Sequence, residues 1–213
     1  VHNEIVVDEL KSLGFKFVDS IEDVPEGECV VFSAHGVSQS VRDRARERRL
    51  KVVDTTCPFV AKVHESVHAF KRRGLPVVVI GDKDHAEVKG IAGDDGSVSI
   101  VADVEDVQKL AMPAGARIGV VSQTTLDQEV VGKVVEALSG RYRVDSAAQT
   151  CSATRERQDA VRKFDGDALL VLGSAGSSNT RRLCEVARCS ALGRGIQTCL
   201  AMSEILQLQI CGK

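Results

Sequence analysis

Six short polar segments hold nearly all the residues of this chain that could do chemistry. They are Ser33-Ala34-His35-Gly36, Thr55-Thr56-Cys57-Pro58, Asp82-Lys83-Asp84-His85-Ala86-Glu87, Ser122-Gln123-Thr124-Thr125, Cys151-Ser152-Ala153-Thr154 and Ser174-Ala175-Gly176-Ser177-Ser178-Asn179. Imidazole and hydroxyl donors suit a phosphorylated ligand. A carboxyl such as Glu87 can serve as a proton donor if its surroundings raise its pKa. Each segment also has an ordinary structural explanation. Ser178 or Asn179 can be a helix N-cap, Thr55 and Thr124 can be caps, and Gly173 and Gly176 can ease a turn. One such segment is weak evidence; six together are harder to dismiss. A seventh pattern, His64-Glu65-Ser66-Val67-His68, reads H-E-x-x-H. It follows a Cys-Pro turn and no third ligand lies at metzincin spacing, so a zinc peptidase is not the expectation.

The polar segments follow apolar ones. Val30–Phe32, Lys51–Asp54, Pro76–Gly81, Ile118–Val121, Tyr142–Val144 and Ala168–Gly173 read as short strands. The continuous β-branched runs among them suit parallel strands covered on both faces. Helical spacing joins Phe59, Val60, Val63, Val67 and Phe70, with a stop at Arg72-Arg73-Gly74. Val130 to Leu138 makes a second helix, and Val161 with Phe164 belongs to a third. This alternation predicts an α/β fold of right-handed βαβ units with mostly parallel sheets. The polar segments then all fall at the carboxyl ends of strands, the edge where open α/β sheets bind ligands, and helix N-termini there favour anions. Weak boundaries near Pro58 and Asp145–Gln149 predict up to three small α/β units around a central cavity. These are 1–57, a partial first unit; 58–149, a second; and 150–213, a third, incomplete and atypical after about 190.

Composition narrows the function. A net charge of −2 gives no reason to expect nucleic acid or a membrane surface, and with no Trp and one Tyr, base-stacking platforms are not expected. No run approaches the roughly 20 apolar residues a membrane span needs. The seven cysteines, Cys29, Cys57, Cys151, Cys184, Cys189, Cys199 and Cys211, are scattered and odd in number, which fits a reducing compartment better than a disulfide scaffold. Cys29, Cys184 and Cys189 read most simply as small buried hydrophobes. A Gly-x-Gly-x-x-Gly dinucleotide fingerprint is absent.

Seven ordered motifs carry a specific resemblance. Val1-His2-Asn3, Ser33-Ala34-His35-Gly36, Asp54-Thr55-Thr56-Cys57-Pro58 with Lys62-Val63-His64, His85-Ala86-Glu87-Val88-Lys89-Gly90, Gln123-Thr124-Thr125, Cys151-Ser152-Ala153-Thr154 with Arg157-Gln158, and Gly173-Ser174 with Ser177-Ser178-Asn179 and Arg182-Leu183 all resemble segments of one family. It is the 4-hydroxy-3-methylbut-2-enyl diphosphate reductase (LytB) family. The resemblance implies reduction of that small allylic diphosphate to isopentenyl and dimethylallyl diphosphate, the last step of the methylerythritol phosphate (non-mevalonate) isoprenoid route. It implies an iron–sulfur cluster (4Fe-4S) with Cys57 and Cys151 as two of three metal-binding cysteines. It implies substrate contacts from His2, His35, His85, Thr124, Ser177, Ser178 and Asn179, and Glu87 as the catalytic proton relay. Electrons would come from a separate carrier, reduced ferredoxin or flavodoxin, in a bacterial cytoplasm or a plastid.

The chain departs from the family pattern at its ends. The family's first cluster cysteine lies in a Gly-Phe-Cys-Ala-Gly segment upstream of the Val-His-Asn segment, so the third cluster cysteine is expected to be missing from this chain. The family's late Ala-Ser-x-Pro segment is also not found, and Cys189, Cys199 and Cys211 have no family counterpart. The chain therefore reads as an incomplete copy, expected to be inactive alone. A reading from another class is a non-catalytic α/β module that binds a phosphorylated ligand; a bound cluster separates the two.

Overall fold

The computed structural model describes residues 3–94, 96–166, 168–174, 176–191 and 197–201. In chain order the elements are α1 (Glu4–Ser12), a 3-10 turn (Ile21–Asp23), β1 (Cys29–Phe32), α2 (Gln39–Glu47), β2 (Lys51–Asp54), α3 (Pro58–Arg72) and β3 (Val77–Ile80). Then come α4 (Ala86–Ala92), β4 (Val98–Val101), α5 (Val104–Lys109), β5 (Arg117–Ser122), α6 (Gln128–Ser139) and β6 (Arg143–Ser146). The chain closes with α7 (Ser152–Lys163), β7 (Ala168–Leu172), α8 (Ser178–Ala191) and β8 (Gln197–Ala201). The class is α/β, as the alternation of strand and helix patterns implies. Every strand pair is parallel, in sheets ordered β1-β2, β4-β3-β5-β6 and β7-β8. The elements form two compact units, Val18–Cys151 and Val1–Phe17 with Ser152–Lys213.

The larger unit is built on β3. Val77, Val78, Val79 and Ile80 are all buried, so both faces of this central strand are covered. Successive side chains point to opposite faces. Val78 and Ile80 join Ile118, Val120, Val131, Val134 and Leu138 under α6. Val77 and Val79 join Val63, Val67, Phe70, Val88 and Ile91 under α3 and α4. On α3, Val60, Val63, Val67 and Phe70 are the buried residues, three or four apart. Phe70 lies against β5 at Gly119, where an added Cβ would be 2.3 Å from the ring.

The β1–β2 pair has a smaller core of Val24, Phe32, Ala45 and Leu50. Its other face leaves Val31 and Val53 exposed. In the second unit, Val161 of α7 packs with Val186 and Ala187 of α8, joined by Leu169 of β7. No helix among the described residues is long and apolar enough to cross a membrane.

Two strands differ from the sequence expectation in detail. β4 has no counterpart among the expected strands; its half-buried Val98-Ser99-Ile100-Val101 edge is less apolar than β3. β8 forms within the stretch read as atypical, pairing in register with β7 from Ala168–Gln197 to Leu172–Ala201.

Candidate active site

Parallel strands must all end at the same edge of a sheet, so β3 and β5, hydrogen-bonded neighbours, deliver their following loops side by side. The loop after β3 turns through Asp82, whose carbonyl accepts the His85 N–H. His85 then caps α4: its Nδ1 accepts the Glu87 N–H at 3.2 Å. With Nδ1 used as an acceptor, the neutral ring carries its proton on Nε2, which makes that nitrogen a donor. The edge of one ring of the His35–His85 pair meets the face of the other, with centroids 5.6 Å apart. His35 Nδ1 lies 3.3 Å from the Ser33 hydroxyl.

Glu87 is the least expected feature of this region. It sits in the first turn of a short helix, where a carboxylate would ordinarily face water, yet only 1% of it is exposed. Both its oxygens are engaged by one residue of the β5 loop. The Thr124 N–H donates to Oε1 at 2.7 Å and the Thr124 hydroxyl donates to Oε2 at 3.0 Å. Burial pushes the carboxyl up to about 7; the two Thr124 bonds favour the charged form and oppose that rise without cancelling it. A carboxyl raised this far can hold a proton near neutrality, the condition for a general acid. When it is protonated, Thr124 Oγ1 can turn to accept from it, so the pair forms a two-atom proton path.

The cysteines join this cluster through the backbone. The Cys57 N–H donates to the Ala34 carbonyl, beside His35, and the Cys151 N–H donates to the Thr124 carbonyl. Both cysteines are half-buried and neither forms a disulfide among the described residues. Cys57 is the N-cap residue of the 15-residue α3, with Pro58 behind it. Thus Cys57, His35, His85, Glu87, Thr124 and Cys151 form one connected string within the larger unit. Among the described residues no group of three or more His, Cys, Asp or Glu stands close enough to hold a metal ion. The two thiols fit part of an iron–sulfur ligand set.

The other expected substrate contacts lie in the second unit. Ser177 opens α8, its Oγ 3.4 Å from the Thr180 N–H, and its own N–H donates to the Ser174 carbonyl. Ser178 is buried and Asn179 half-buried. His2 lies outside the described residues. The cap of α8 is Ser177, one residue before the expected Ser178 or Asn179, and Thr124 serves Glu87 where a helix cap was the ordinary explanation. His64 and His68 make no metal pair with Glu65. His64 faces a half-open pocket of about 320 Å³ also lined by His68, Lys71 and Gly90. Its Nε2 is buried without a hydrogen-bond partner among the described residues, and burial, then Arg42 and His68, push the ring down to about 4.

Two further residues shape the site without having been singled out by type. Gln123, fully buried, accepts the Asp82 N–H at 3.1 Å and donates to Thr125 Oγ1 at 2.8 Å, tying the β5 loop to the β3 loop. Asp54, at the end of β2, accepts from both the N–H and the hydroxyl of Thr56 and from Arg42. Burial raises its carboxyl, but those donors outweigh it and bring it to about 2. The signal for Gln123 was its place beside Thr124; for Asp54 it was the Asp-x-Thr spacing of a side-chain turn.

Comparison with known proteins matches this arrangement to one group. The family model described as LytB protein matches residues 1–200. The chain is 44% identical over 194 residues to 4-hydroxy-3-methylbut-2-enyl diphosphate reductase 2 of Burkholderia mallei (strain ATCC 23344), covering 88% of this chain and 59% of that protein. It therefore spans about three fifths of the length of the curated relatives it matches. Among solved structures, the reductase from Plasmodium falciparum superposes with a TM-score of 0.84 at 32% identity, covering 94% of this chain and 64% of that one. A second, described as (E)-4-hydroxy-3-methyl-but-2-enyl diphosphate reductase, the terminal enzyme of the non-mevalonate pathway, gives 0.67 at 32% identity over 98% and 74%. With a family match over nearly the whole chain, the chain belongs to the LytB family.

Proposed function

We propose that this chain carries much of the active site of a reductase that converts (E)-4-hydroxy-3-methylbut-2-enyl diphosphate to isopentenyl and dimethylallyl diphosphate, the terminal step of the non-mevalonate pathway. The observation that carries the reading is the buried Glu87, fixed through both carboxyl oxygens by Thr124 beside His85, in a chain whose relatives bear that name. Breaking the allylic C–O bond and releasing the oxygen as water takes two electrons and two protons. Glu87 is the source of a proton for the departing oxygen, passed through Thr124 Oγ1. His85, donating from Nε2, and His35 beside it hold the diphosphate, together with His2, Ser177, Ser178 and Asn179. Neutral donors in a protected site bind that anion without burying fixed cations.

Cys57 and Cys151 would supply two of the three thiolates of a 4Fe-4S cluster, which when bound passes on electrons and offers Lewis acidity. The electrons come from a separate reduced carrier, ferredoxin or flavodoxin, in a bacterial cytoplasm or a plastid. The chain reads as up to three small α/β units, 1–57, 58–149 and 150–213, with mostly parallel sheets. The test is Glu87→Gln in the whole protein. Substrate affinity should stay within a few-fold while turnover falls at least ~100-fold, the usual contribution of a positioned acid. Wild-type turnover in that variant removes Glu87 from the reaction. A protein that takes up no iron on anaerobic reconstitution, yet binds the diphosphate, is a binding module instead.

A further inference from the structure

Cys57 is held by a loop of three residues, and one salt-bridged carboxylate at the base of that loop organises it. Asp54 ends β2. Its Oδ1 accepts the Thr56 N–H at 3.0 Å and the Thr56 hydroxyl at 2.5 Å, and its Oδ2 accepts Arg42 Nη1 at 2.6 Å. Arg42 belongs to α2 and is itself fixed from the side, its guanidinium 5.6 Å from the centre of the Phe32 ring. Thr55 is tied separately: its N–H and its hydroxyl both donate to the Phe32 carbonyl. The next N–H, that of Cys57, donates to Ala34. The backbone from residue 54 to 57 is thus stitched to α2 through a charged pair and to the His35 loop through neutral bonds.

We propose that Asp54, clasped by Arg42, is a positioning residue that sets the Cys57 thiol relative to the His35 loop. The inference rests on the reading of Cys57 as an iron–sulfur ligand, and it deepens that reading. A tight thiolate site needs converging ligands at fixed geometry, and a cysteine on a three-residue loop has little stiffness of its own. Two charge-assisted bonds from one carboxylate remove the loop's freedom at the residue before the ligand. Asp54 and Arg42 are each about one third exposed, as fits a clasp on the rim of the site and not a group that meets substrate.

The experiment compares Asp54→Asn, Arg42→Gln, the double variant and Arg42→Lys. Amide hydrogen exchange on the metal-free chain reads the loop directly. In Asp54→Asn, exchange of the Cys57 amide should quicken about tenfold while the amides of Val79 and Val121 in the central sheet stay unchanged. Arg42→Gln should show a smaller effect, Arg42→Lys should restore most of it, and the double variant should add nothing beyond Asp54→Asn. Iron bound per chain at limiting iron, after anaerobic reconstitution, should fall in the same order. Unchanged Cys57 exchange, or an equal rise across the whole unit, overturns the clasp whatever the iron result. A loosened loop with wild-type iron binding also overturns it, because positioning then has no consequence. The iron arm uses the whole protein, with all three cluster cysteines: if that wild-type protein takes up no iron at all, the ligand reading of Cys57 fails, and the exchange arm still decides whether Asp54 holds the loop.

Discussion

Replacing Glu87 by Gln should make the protein more stable at alkaline pH, and by an amount the structure sets. Below pH 4.5, the ordinary value for the side chain, Glu87 is protonated in both folded and unfolded chains. Burial keeps the proton on the folded form up to about 7, so between those values the folded state carries more protons than the unfolded one. Stability therefore falls as pH rises through that window, because the folded state must accept a buried charge. At about 1.4 kcal/mol per pH unit, the loss has a ceiling of roughly 3 kcal/mol. Gln has the same shape and no charge. Its Oε1 still accepts the Thr124 N–H, and the Thr124 hydroxyl can turn to accept from its amide. The variant should match the wild type near pH 5 and exceed it by about 2–3 kcal/mol at pH 8, of the order of a large single-site effect. Urea unfolding of both proteins at pH 5, 6.5 and 8 measures this, with midpoints compared at equal slope. His64 contributes to both chains alike and cancels. Identical pH dependence in the two would show that Glu87 is not a buried acid with a raised pKa, and the proton-relay argument would lose its basis.

Two glycines supply further checks. Gly36→Ala places a side chain at φ +72 and a Cβ 2.8 Å from His64 Nε2, beside the His35 loop. It should cost about 1–3 kcal/mol in urea unfolding, the usual range for backbone strain of this kind, and turnover should fall further than stability explains. Gly119→Ala sets a Cβ 2.3 Å from Phe70 in the central sheet. Overpacking there should cost about 1–3 kcal/mol or more, largely relieved by adding Phe70→Leu; no relief in the double variant would mean the clash is not the cause.

The helix and strand patterns of this chain were largely legible because burial repeats with a period. Val77 to Ile80 read as a covered strand and proved buried throughout, and the Val60–Phe70 stripe read as one helix face. The misses have the opposite cause. α2 buries only Ala45 and spells out arginines and acids, so no apolar stripe marks it. β4 is an edge strand with three of its four residues partly exposed, and its period is weak. β8 forms where the family motifs stop, since pairing with β7 needs only a backbone in register.

For the site, sequence supplied the residue types and their order, and the rule that parallel strands end together placed His85 and Thr124 at one edge. It also put Cys57 and Cys151 directly after strands, which bound their location without fixing their partners. What it left open were the environments. In Asp82-Lys83-Asp84-His85-Ala86-Glu87 nothing distinguishes Glu87 from the two exposed or half-exposed aspartates beside it, and one turn of α4 decides which carboxyl faces inward. Its pKa depends on Thr124, 37 residues away, and on the removal of water by packing. Local sequence determines which groups are present and which element carries them; desolvation and pairing depend on contacts between distant segments, and so only the tertiary structure decided that Glu87 is buried against Thr124 with its pKa raised.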